Sequence, residues 1–245
     1  MIIVSFSVYL SGKKGINMSK CEQCIIREFN SLKTLTKDEL IRITGCKTSK
    51  TVKKGEVLFD EGEYINGVFC IKDGVCKVSK MSDNGRDQII HLIQKGDILG
   101  ERSLINNEAS NLKAIAINDM EVCFIPKDEI IRDLENNPNF SLDLLRKMAN
   151  SLKKADDVIV DMAQKTVKQR LATTLLFLEA KFDKNENGSI KVNLSREDIA
   201  NIIGTATESA IRLLSEFKKK KLIDLKGKEV FILNVKALKD LSEGF

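Results

Sequence analysis

Two groups of residues in this sequence combine side-chain type and spacing in a way that could support specific chemistry. Six cysteines occur, namely Cys21, Cys24, Cys46, Cys70, Cys76 and Cys123. Cys21 and Cys24 form a Cys-x-x-Cys pair, a spacing that suits a metal site or redox thiols. Far along the chain, Glu208 and Arg212 stand four residues apart. On a helix both would share one face, where Glu can accept a hydrogen bond from cytosine and Arg can bind guanine.

The residues around Glu208 and Arg212 predict two short helices joined by a tight turn. Ser195 followed by Asp198 is a capping signature that predicts the start of the first helix. Gly204 suits the end of that helix, where a left-handed residue is favoured. Thr205 followed by Glu208 repeats the starting signature for the second helix. This arrangement is typical of a helix-turn-helix, whose second helix enters the major groove of DNA.

The second predicted helix has one apolar and one polar face. Four residues at helical spacing are expected to face the core, namely Ala206, Ala210, Leu213 and Phe217. The other face then carries Thr207, Glu208, Ile211, Arg212 and Ser215. In the alternative interpretation, Glu208 only caps the helix with Thr205 and forms a surface ion pair with Arg212.

A basic hairpin is expected after the helix pair. Four consecutive lysines, Lys218–Lys221, precede two short apolar runs that flank Lys226-Gly227-Lys228. This pattern predicts the wing of a winged helix-turn-helix, with lysines that contact phosphates without reading sequence. The predicted DNA-contacting residues are Ser195, Arg196, Thr205, Thr207, Glu208, Ser209, Arg212, Lys218, Lys226 and Lys228.

The charge of the chain is distributed unevenly. Residues 1–163 carry 24 basic and 24 acidic side chains, whereas residues 164–245 carry 16 basic and 11 acidic ones. The whole net charge of +5 therefore lies in the part that contains the helix pair. Such an asymmetry favours a polyanionic partner for that part, although a solvated lysine-rich surface has the same composition.

The region before the helix pair has a residue pattern that is typical of a β-domain. From Lys50 to Ile125, short runs of Val, Ile, Leu and Phe alternate with glycine-containing turns. Regular spacing of this kind predicts an antiparallel sandwich or barrel. Pro126, the first proline, comes where the last strand is expected to stop.

Both regions resemble the CRP/FNR family of bacterial transcription regulators. Lys54–Gly62, Gly67–Gly74 and Gly96–Glu101 are similar to the family's cyclic-nucleotide-binding β-roll, and Glu208 and Arg212 match its recognition helix. The resemblance implies an α+β fold with four parts. These are an N-terminal extension with the Cys-x-x-Cys pair (1–31), an antiparallel, jelly-roll-like sensor domain (32–132), a long dimerisation helix (133–165) and a winged helix-turn-helix domain (166–245).

The family's effector pocket is only partly matched. In members that bind a cyclic nucleotide, the pair corresponding to Gly100-Glu101 holds the ribose, and an arginine about ten residues later neutralises the phosphate. Here the tenth residue after Glu101 is Asn111. Burying a phosphodiester without a fixed cation costs several kcal/mol, so a cyclic nucleotide is disfavoured and another small effector stays open. The candidate pocket residues are Gly100, Glu101, Arg102, Ser103 and Asn111.

The cysteines support a rival signal. FNR-type oxygen sensors of the family bind an iron–sulfur cluster through an N-terminal Cys-x-x-Cys-x5-Cys run and one distant cysteine. Cys21 and Cys24 match the first pair and Cys123 matches the distant ligand, but Asn30 occupies the place of the third thiolate. These three cysteines are the candidate metal ligands, and Cys46 could substitute only if the N-terminal segment folded back.

Simpler roles for these side chains remain as alternatives. Cys21 and Cys24 could form a thiol or zinc site, or bind no metal. Cys70, Cys76 and Cys123 lie in apolar runs, where free cysteine packs as a small hydrophobe. The only histidine, His91, is expected to be a hydrogen-bonded structural residue rather than a haem ligand.

A long helix is predicted from Pro138 to about Lys165. Apolar residues recur there at alternating steps of three and four, namely Leu145, Met148, Leu152, Ala155, Ile159 and Met162. This pattern predicts a two-helix seam, and the resemblance implies a homodimer that binds an inverted-repeat operator in double-stranded DNA. Packing of this strip on its own β-roll is the alternative.

The remaining expectations concern the ends of the chain and its class. Met1–Leu10 lacks a basic region and a cleavage site and is too short to span a bilayer. We therefore expect a cytoplasmic protein without membrane association, with residues 1–17 as a non-native extension before Met18. No nucleophile–base pair or phosphate-binding loop points to an enzyme, so the sequence predicts a regulator, with RNA polymerase as a further partner. A ligand-binding module whose helix pair packs on protein is the alternative.

Overall fold

The structure is a computed structural model that describes residues 20–83 and 85–244. The predicted extension at residues 1–17 lies outside the described residues. The helices α1 to α8 span Lys37–Cys46, Glu101–Asn106, Lys127–Asn136, Pro138–Gln164, Val167–Lys181, Arg196–Ile203, Thr207–Lys219 and Val235–Glu243. The strands β1 to β10 span Thr48–Val52, Val57–Phe59, Gly67–Asp73, Val75–Met81, Asp87–Gln94, Ile98–Leu99, Lys113–Ala116, Met120–Pro126, Ile223–Lys226 and Glu229–Ile232. The α+β fold class is confirmed.

Two four-stranded antiparallel sheets form the sensor domain. Their strand orders are β1-β8-β3-β6 and β2-β7-β4-β5. Side chains alternate between the two faces of a strand, so each sheet has an inner and an outer face. Ile71 and Val122 point into the core between the sheets, whereas Cys70 and Cys123 belong to a second core outside it. That second core is covered by the N-terminal segment, α1, α3 and the start of α4.

The N-terminal segment consists of three short 3-10 turns, at Cys21–Gln23, Ile25–Phe29 and Ser31–Thr34. Its backbone is fixed to α1, because the amide of Cys21 donates to Thr44 Oγ1 at 2.8 Å. Helix α1 begins with a capping box, in which the Thr36 and Glu39 side chains each accept a backbone N–H. The segment thus lies against the outer face of the β1-β8-β3-β6 sheet.

Helix α4 is a single uninterrupted rod of 27 residues. Asn137 caps it, Pro138 occupies its first turn, and Phe140 and Leu144 anchor that turn in the second core. From Ser151 to Val160 every residue is exposed. The alternative that this strip packs on its own β-roll is therefore not what the structure shows.

The C-terminal domain contains the predicted helix pair and a two-stranded wing. Ser195 and Asp198 form the expected capping box at the start of α6, and Gly204 has a left-handed φ of 65° after its end. The Thr205 amide donates to the Ala200 carbonyl at 3.1 Å and so completes the end of α6. Because Thr205 belongs to the turn, Ala206 is the N-cap of α7, without a side-chain capping bond.

Two details of the predicted C-terminal domain were wrong. Thr205 does not cap α7, and Ala206 is exposed instead of facing inward, while Leu214 supplies the buried position between Ala210 and Phe217. The turn is longer than the capping signature suggested, which rotates the buried face.

The sensor and DNA-binding domains share a hydrophobic core. Val75, Ile89 and Leu92 of the sensor pack in the same cluster as α5, α6 and α7. Lys77 Nζ on β4 forms an ion pair with Asp198 Oδ1 at 2.6 Å, which the sequence did not predict. Burial would raise the pKa of Asp198, but the bonds from Lys77 and Ser195 lower it overall. The first helix of the helix-turn-helix is therefore held against its own sensor domain.

Arg170 of α5 connects the end of α4 to the helix-turn-helix. Its guanidinium donates to the carbonyls of Lys165 at 2.7 Å and Ile203 at 2.8 Å. The Met162 sulfur lies beside Gly204, 3.3 Å from the place that a Cβ on this glycine would occupy. These contacts fix the helix-turn-helix relative to the long helix.

Candidate nucleic-acid interface and thiol cavity

Helix α7 presents a continuous exposed face. Ala210, Leu214 and Phe217 are fully buried and fix the rotation of the helix about its axis. The opposite face exposes Glu208, Ile211, Arg212 and Ser215, as predicted, whereas Thr207 and Ser209 are half-buried at its edge. Ile211, exposed by 46%, is positioned for apolar contact with a thymine methyl group.

Glu208 and Arg212 are available for bases. Both side chains are exposed; within residues 20–83 and 85–244 no ion pair joins them, and α7 has no side-chain capping bond. The structure thus contains neither of the contacts that the alternative interpretation required. Both side chains extend from one exposed face, where they can reach the edges of neighbouring base pairs.

Other predicted DNA contacts are partly occupied within the chain. Arg196 Nη2 donates to the Gly227 carbonyl at 2.6 Å, so this side chain connects α6 to the tip of the wing. Lys218 Nζ pairs with Asp224 Oδ1 at 2.7 Å. Ser195 caps its helix through its hydroxyl, and Thr205 lies in the turn. These residues position the interface, and their contact with DNA stays a prediction.

The wing presents its lysines at the tip of the β9–β10 hairpin. Glu229 pairs with Lys226 in the antiparallel register, and Gly227 adopts a left-handed φ of 57° between the two lysines. Lys226 Nζ lies 5.2 Å from the centre of the Phe231 ring, while Lys228 is exposed. The tip is suited to a phosphate contact beside the recognition helix.

Four thiols from three separate parts of the chain line one small cavity. Cys21 and Cys24 come from the N-terminal segment, Cys70 from β3 and Cys123 from β8. Cys70 and Cys123 are directly opposite in the antiparallel register, so their side chains lie on the same face of the sheet. The structure therefore brings together the three predicted ligands and adds Cys70, which had been expected to serve only as a small hydrophobe.

Polar groups around the cavity are directed at the sulfur atoms. Asn30, at the place of the missing third thiolate, is 1% exposed and donates through Nδ2 to Cys70 Sγ at 3.4 Å. Ser49 Oγ lies 3.7 Å from Cys123 Sγ. Lys47, which is only 3% exposed, also lines the cavity and brings a positive charge to it. Burial, together with the neighbouring thiols, raises the pKa of Cys70 to about 12.

The other two cysteines and the histidine lie outside this cavity. Cys46 Sγ donates to the Ile43 carbonyl, so it does not replace the missing ligand. Cys76 is fully buried in the core between the sheets. His91 is exposed on β5, and its imidazole makes no hydrogen bond to any described residue, which corrects the expected hydrogen-bonded role of this side chain. The described chain contains no group of three or more potential ligands arranged to hold a metal ion.

The predicted effector pocket is not assembled as a phosphate site. Gly100 caps the short helix α2, and burial raises the pKa of Glu101, its first residue, to about 7. Arg102 and Asn111 are exposed, and Ser103 is half-buried. Lys113, the nearest lysine in sequence to Asn111, pairs with Asp60 at 2.9 Å. No cation among these residues replaces the family's arginine.

The seam residues of α4 are largely uncovered in the single chain. Leu145, Leu152 and Ile159 are exposed by 62%, 66% and 65%. Ala155 is also exposed, whereas Met148 and Met162 are half-buried. A row of large apolar side chains at heptad spacing is suited to a second helix of the same kind. Within the described residues, no helix is long and apolar enough to cross a bilayer.

The chain is similar to known proteins along nearly all of its length. A cyclic nucleotide-binding domain model matches residues 49–137, and a Crp-like helix-turn-helix domain model matches residues 169–241. The fumarate and nitrate reduction regulatory protein of Vibrio cholerae is 28% identical over 226 residues, covering 91% of this chain and 90% of that protein. The transcriptional activator protein Anr of Pseudomonas protegens is 28% identical over 223 residues, covering 89% and 90%.

Solved structures show the same fold. FixK2 from Bradyrhizobium japonicum superposes with a TM-score of 0.70 at 24% identity, covering 80% of this chain and 96% of that one. A CRP/FNR-family regulator from Thermus thermophilus gives 0.67 at 22% identity, covering 80% and 99%. The two matched domains, their order and the named relatives together show that the chain belongs to the CRP/FNR family of DNA-binding transcription regulators.

Proposed function

We propose that this regulator acts as a homodimer that binds an inverted-repeat operator in double-stranded DNA. The observation that carries the proposal is the exposed apolar row on α4, which ends beside the helix-turn-helix at Met162. A parallel pair of α4 helices would place two α7 helices about a two-fold axis, about one turn of DNA (34 Å) apart.

Sequence preference is assigned to the exposed face of α7. Arg212 would bind guanine and Glu208 the cytosine amino group, while Lys226 and Lys228 would contact phosphates. The excess of basic residues in this domain supports that division, because phosphate contacts dominate affinity. A DNA-bound regulator would act in the cytoplasm, and RNA polymerase would be a further partner, which the relative named as a transcriptional activator supports.

The sensor domain would control DNA binding by shifting the dimer between competent and incompetent states. The shared core and the Lys77–Asp198 ion pair support such coupling, because they connect the sensor sheet to the first helix of the helix-turn-helix. A redox or metal signal is a second candidate that a specific observation favours over a cyclic nucleotide. Four thiols meet in one cavity, whereas the effector pocket lacks the matching arginine.

Selection of bound sequences from a random duplex pool tests this proposal. The protein, prepared with and without air, should enrich an inverted repeat whose half-sites lie one helical turn apart. Its binding should weaken steeply as salt rises. A monomer that enriches no sequence under either atmosphere would overturn the proposal.

A further inference from the structure

Ile211 is a large apolar side chain in the middle of the exposed face of α7. It is exposed by 46%, whereas Ala210 and Leu214 on the opposite side of the helix are buried. Leu213 packs against the core that the two domains share, but Ile211 belongs to none of the hydrophobic clusters that the described residues form. Burial within the described chain therefore does not account for an isoleucine at this position.

The neighbours of Ile211 on this face are charged or polar. An α-helix turns by about 100° per residue, so Ile211 lies about 60° from Glu208 and about 100° from Arg212 around the helix axis. Ser215 Oγ donates to the Ile211 carbonyl at 2.9 Å, so this hydroxyl is directed at the helix backbone. The part of the face next to Glu208 therefore presents the methyl groups of the isoleucine.

The branched side chain of Ile211 has properties that suit contact with a base. On a solvated helix, isoleucine is less favourable than Ala, Lys or Glu. Branching at Cβ, however, leaves one strongly preferred χ1 rotamer in a helix, so little side-chain freedom is lost when DNA binds. A rigid apolar group is complementary to a base edge that carries a methyl group. In the major groove, thymine has such a group at C5.

We propose that Ile211 selects a thymine next to the base pair that Glu208 contacts, by packing on the thymine 5-methyl group. This inference rests on the DNA binding proposed above and adds an apolar contact to the hydrogen bonds of Glu208 and Arg212. Adenine and guanine present the N7 acceptor at their edges, and covering it with isoleucine removes water without supplying a partner. Cytosine lacks the methyl group.

Replacement of operator thymines by deoxyuridine tests this assignment, because deoxyuridine lacks only the 5-methyl group. The operator is the inverted repeat recovered by the selection described above, and one symmetric pair of thymines is replaced at a time. We expect wild-type affinity to fall about fourfold per half-site at one thymine position, and about 15-fold for the pair, as for the loss of one buried methyl group at each. Fluorescence anisotropy measures these affinities. The slope of log affinity against log salt should not change, because no charge is lost.

Variants at position 211 assign the effect to this side chain. Ile211→Ser should bind the thymine and deoxyuridine duplexes with equal affinity. Ile211→Val, which keeps a branched apolar side chain, should retain most of the difference. Ser215→Ala, on the same face, is the matched control and should retain all of it. Both positions are exposed, so none of these changes alters the core.

Three results would each overturn the assignment. They are indifference of the wild-type protein to deoxyuridine at every operator thymine, an unchanged sensitivity in Ile211→Ser, and a selected half-site that contains no thymine. Each is obtained with an operator that the protein binds, so it leaves the proposed dimer and its operator unaffected. Failure to select any operator would instead contradict the proposed function, and this inference with it.

Discussion

The thiol cavity and the α7 surface differ in burial and in how the chain assembles them. The cavity is buried and is assembled from three remote parts of the chain. The α7 surface is exposed and comes from one continuous stretch, with its side chains directed at solvent. A site that must exclude water is built by the fold as a whole. A site that must meet a duplex needs only one helix fixed at the correct rotation.

The largest effect is expected at the α4 seam, where a substitution would separate the two chains of the dimer and so the two α7 surfaces. Leu152→Glu should yield a monomer and weaken operator binding by about 100-fold or more, because paired half-sites reinforce each other. Light scattering after gel filtration and fluorescence anisotropy with labelled operator measure both effects. Asn150→Glu, on the same exposed helix but outside the seam, should leave the dimer intact. A dimeric Leu152→Glu protein would contradict the seam.

The next largest effect is expected at the exposed face of α7, where Arg212 would bind a base. Arg212→Ala should cost about 1–3 kcal/mol of operator affinity and relax the preference at one G·C pair, because the bidentate contact to guanine is lost. Binding to operator variants at each position measures it. Equal weakening on operator and random DNA would show that Arg212 contacts only the backbone.

A smaller effect tests the contact between the sensor sheet, through β4, and the first helix of the helix-turn-helix. Lys77→Met should lower the free energy of unfolding by about 1–3 kcal/mol at neutral pH, because Asp198 loses its charged partner. The folded pKa of Asp198 is lowered, so its contribution is present above pH ~4 and is lost as pH falls through that pKa. Urea unfolding of both proteins at several values between about pH 3 and pH 7 measures the loss of stability and its dependence on pH.

Lys80→Met provides the control for that prediction. Lys80 lies on the same strand and pairs with Glu61, but both side chains are exposed by more than a third. Its loss should cost under about 1 kcal/mol. Equal destabilisation by the two variants would show that the ion pair between the domains has no special weight.

The smallest effect concerns the wing. Lys228→Ala should weaken operator and random DNA alike, by under about 1 kcal/mol, and reduce the slope of log affinity against log salt by about one. Titrations at several salt concentrations measure the slope. Lys239→Ala, exposed on α8 in the same domain, should leave the slope unchanged. An altered sequence preference in Lys228→Ala would contradict its role as a phosphate contact.

The difference between the two regions also explains what the sequence could predict. Ser195, Gly204 and the face with Arg212 were found because capping and helical spacing are local properties. The place of Cys70 beside Cys123 in the thiol cavity was missed because the register of β3 against β8 joins residues far apart in the chain, which no local pattern reports. The Lys77–Asp198 pair was missed for the same reason. The cap of α7 was misplaced because a helix end and a helix start compete for Thr205.

Arg170 determines which parts of the molecule can turn independently. Its guanidinium connects the end of the long helix to the end of α6 by hydrogen bonds, so these two helices are held in a fixed relative orientation. We therefore expect a rotation of the long helix to be transmitted to the base-contacting surface. If the dimer switches by a hinge, we expect that hinge on the N-terminal side of Arg170, where the long helix leaves the sensor domain.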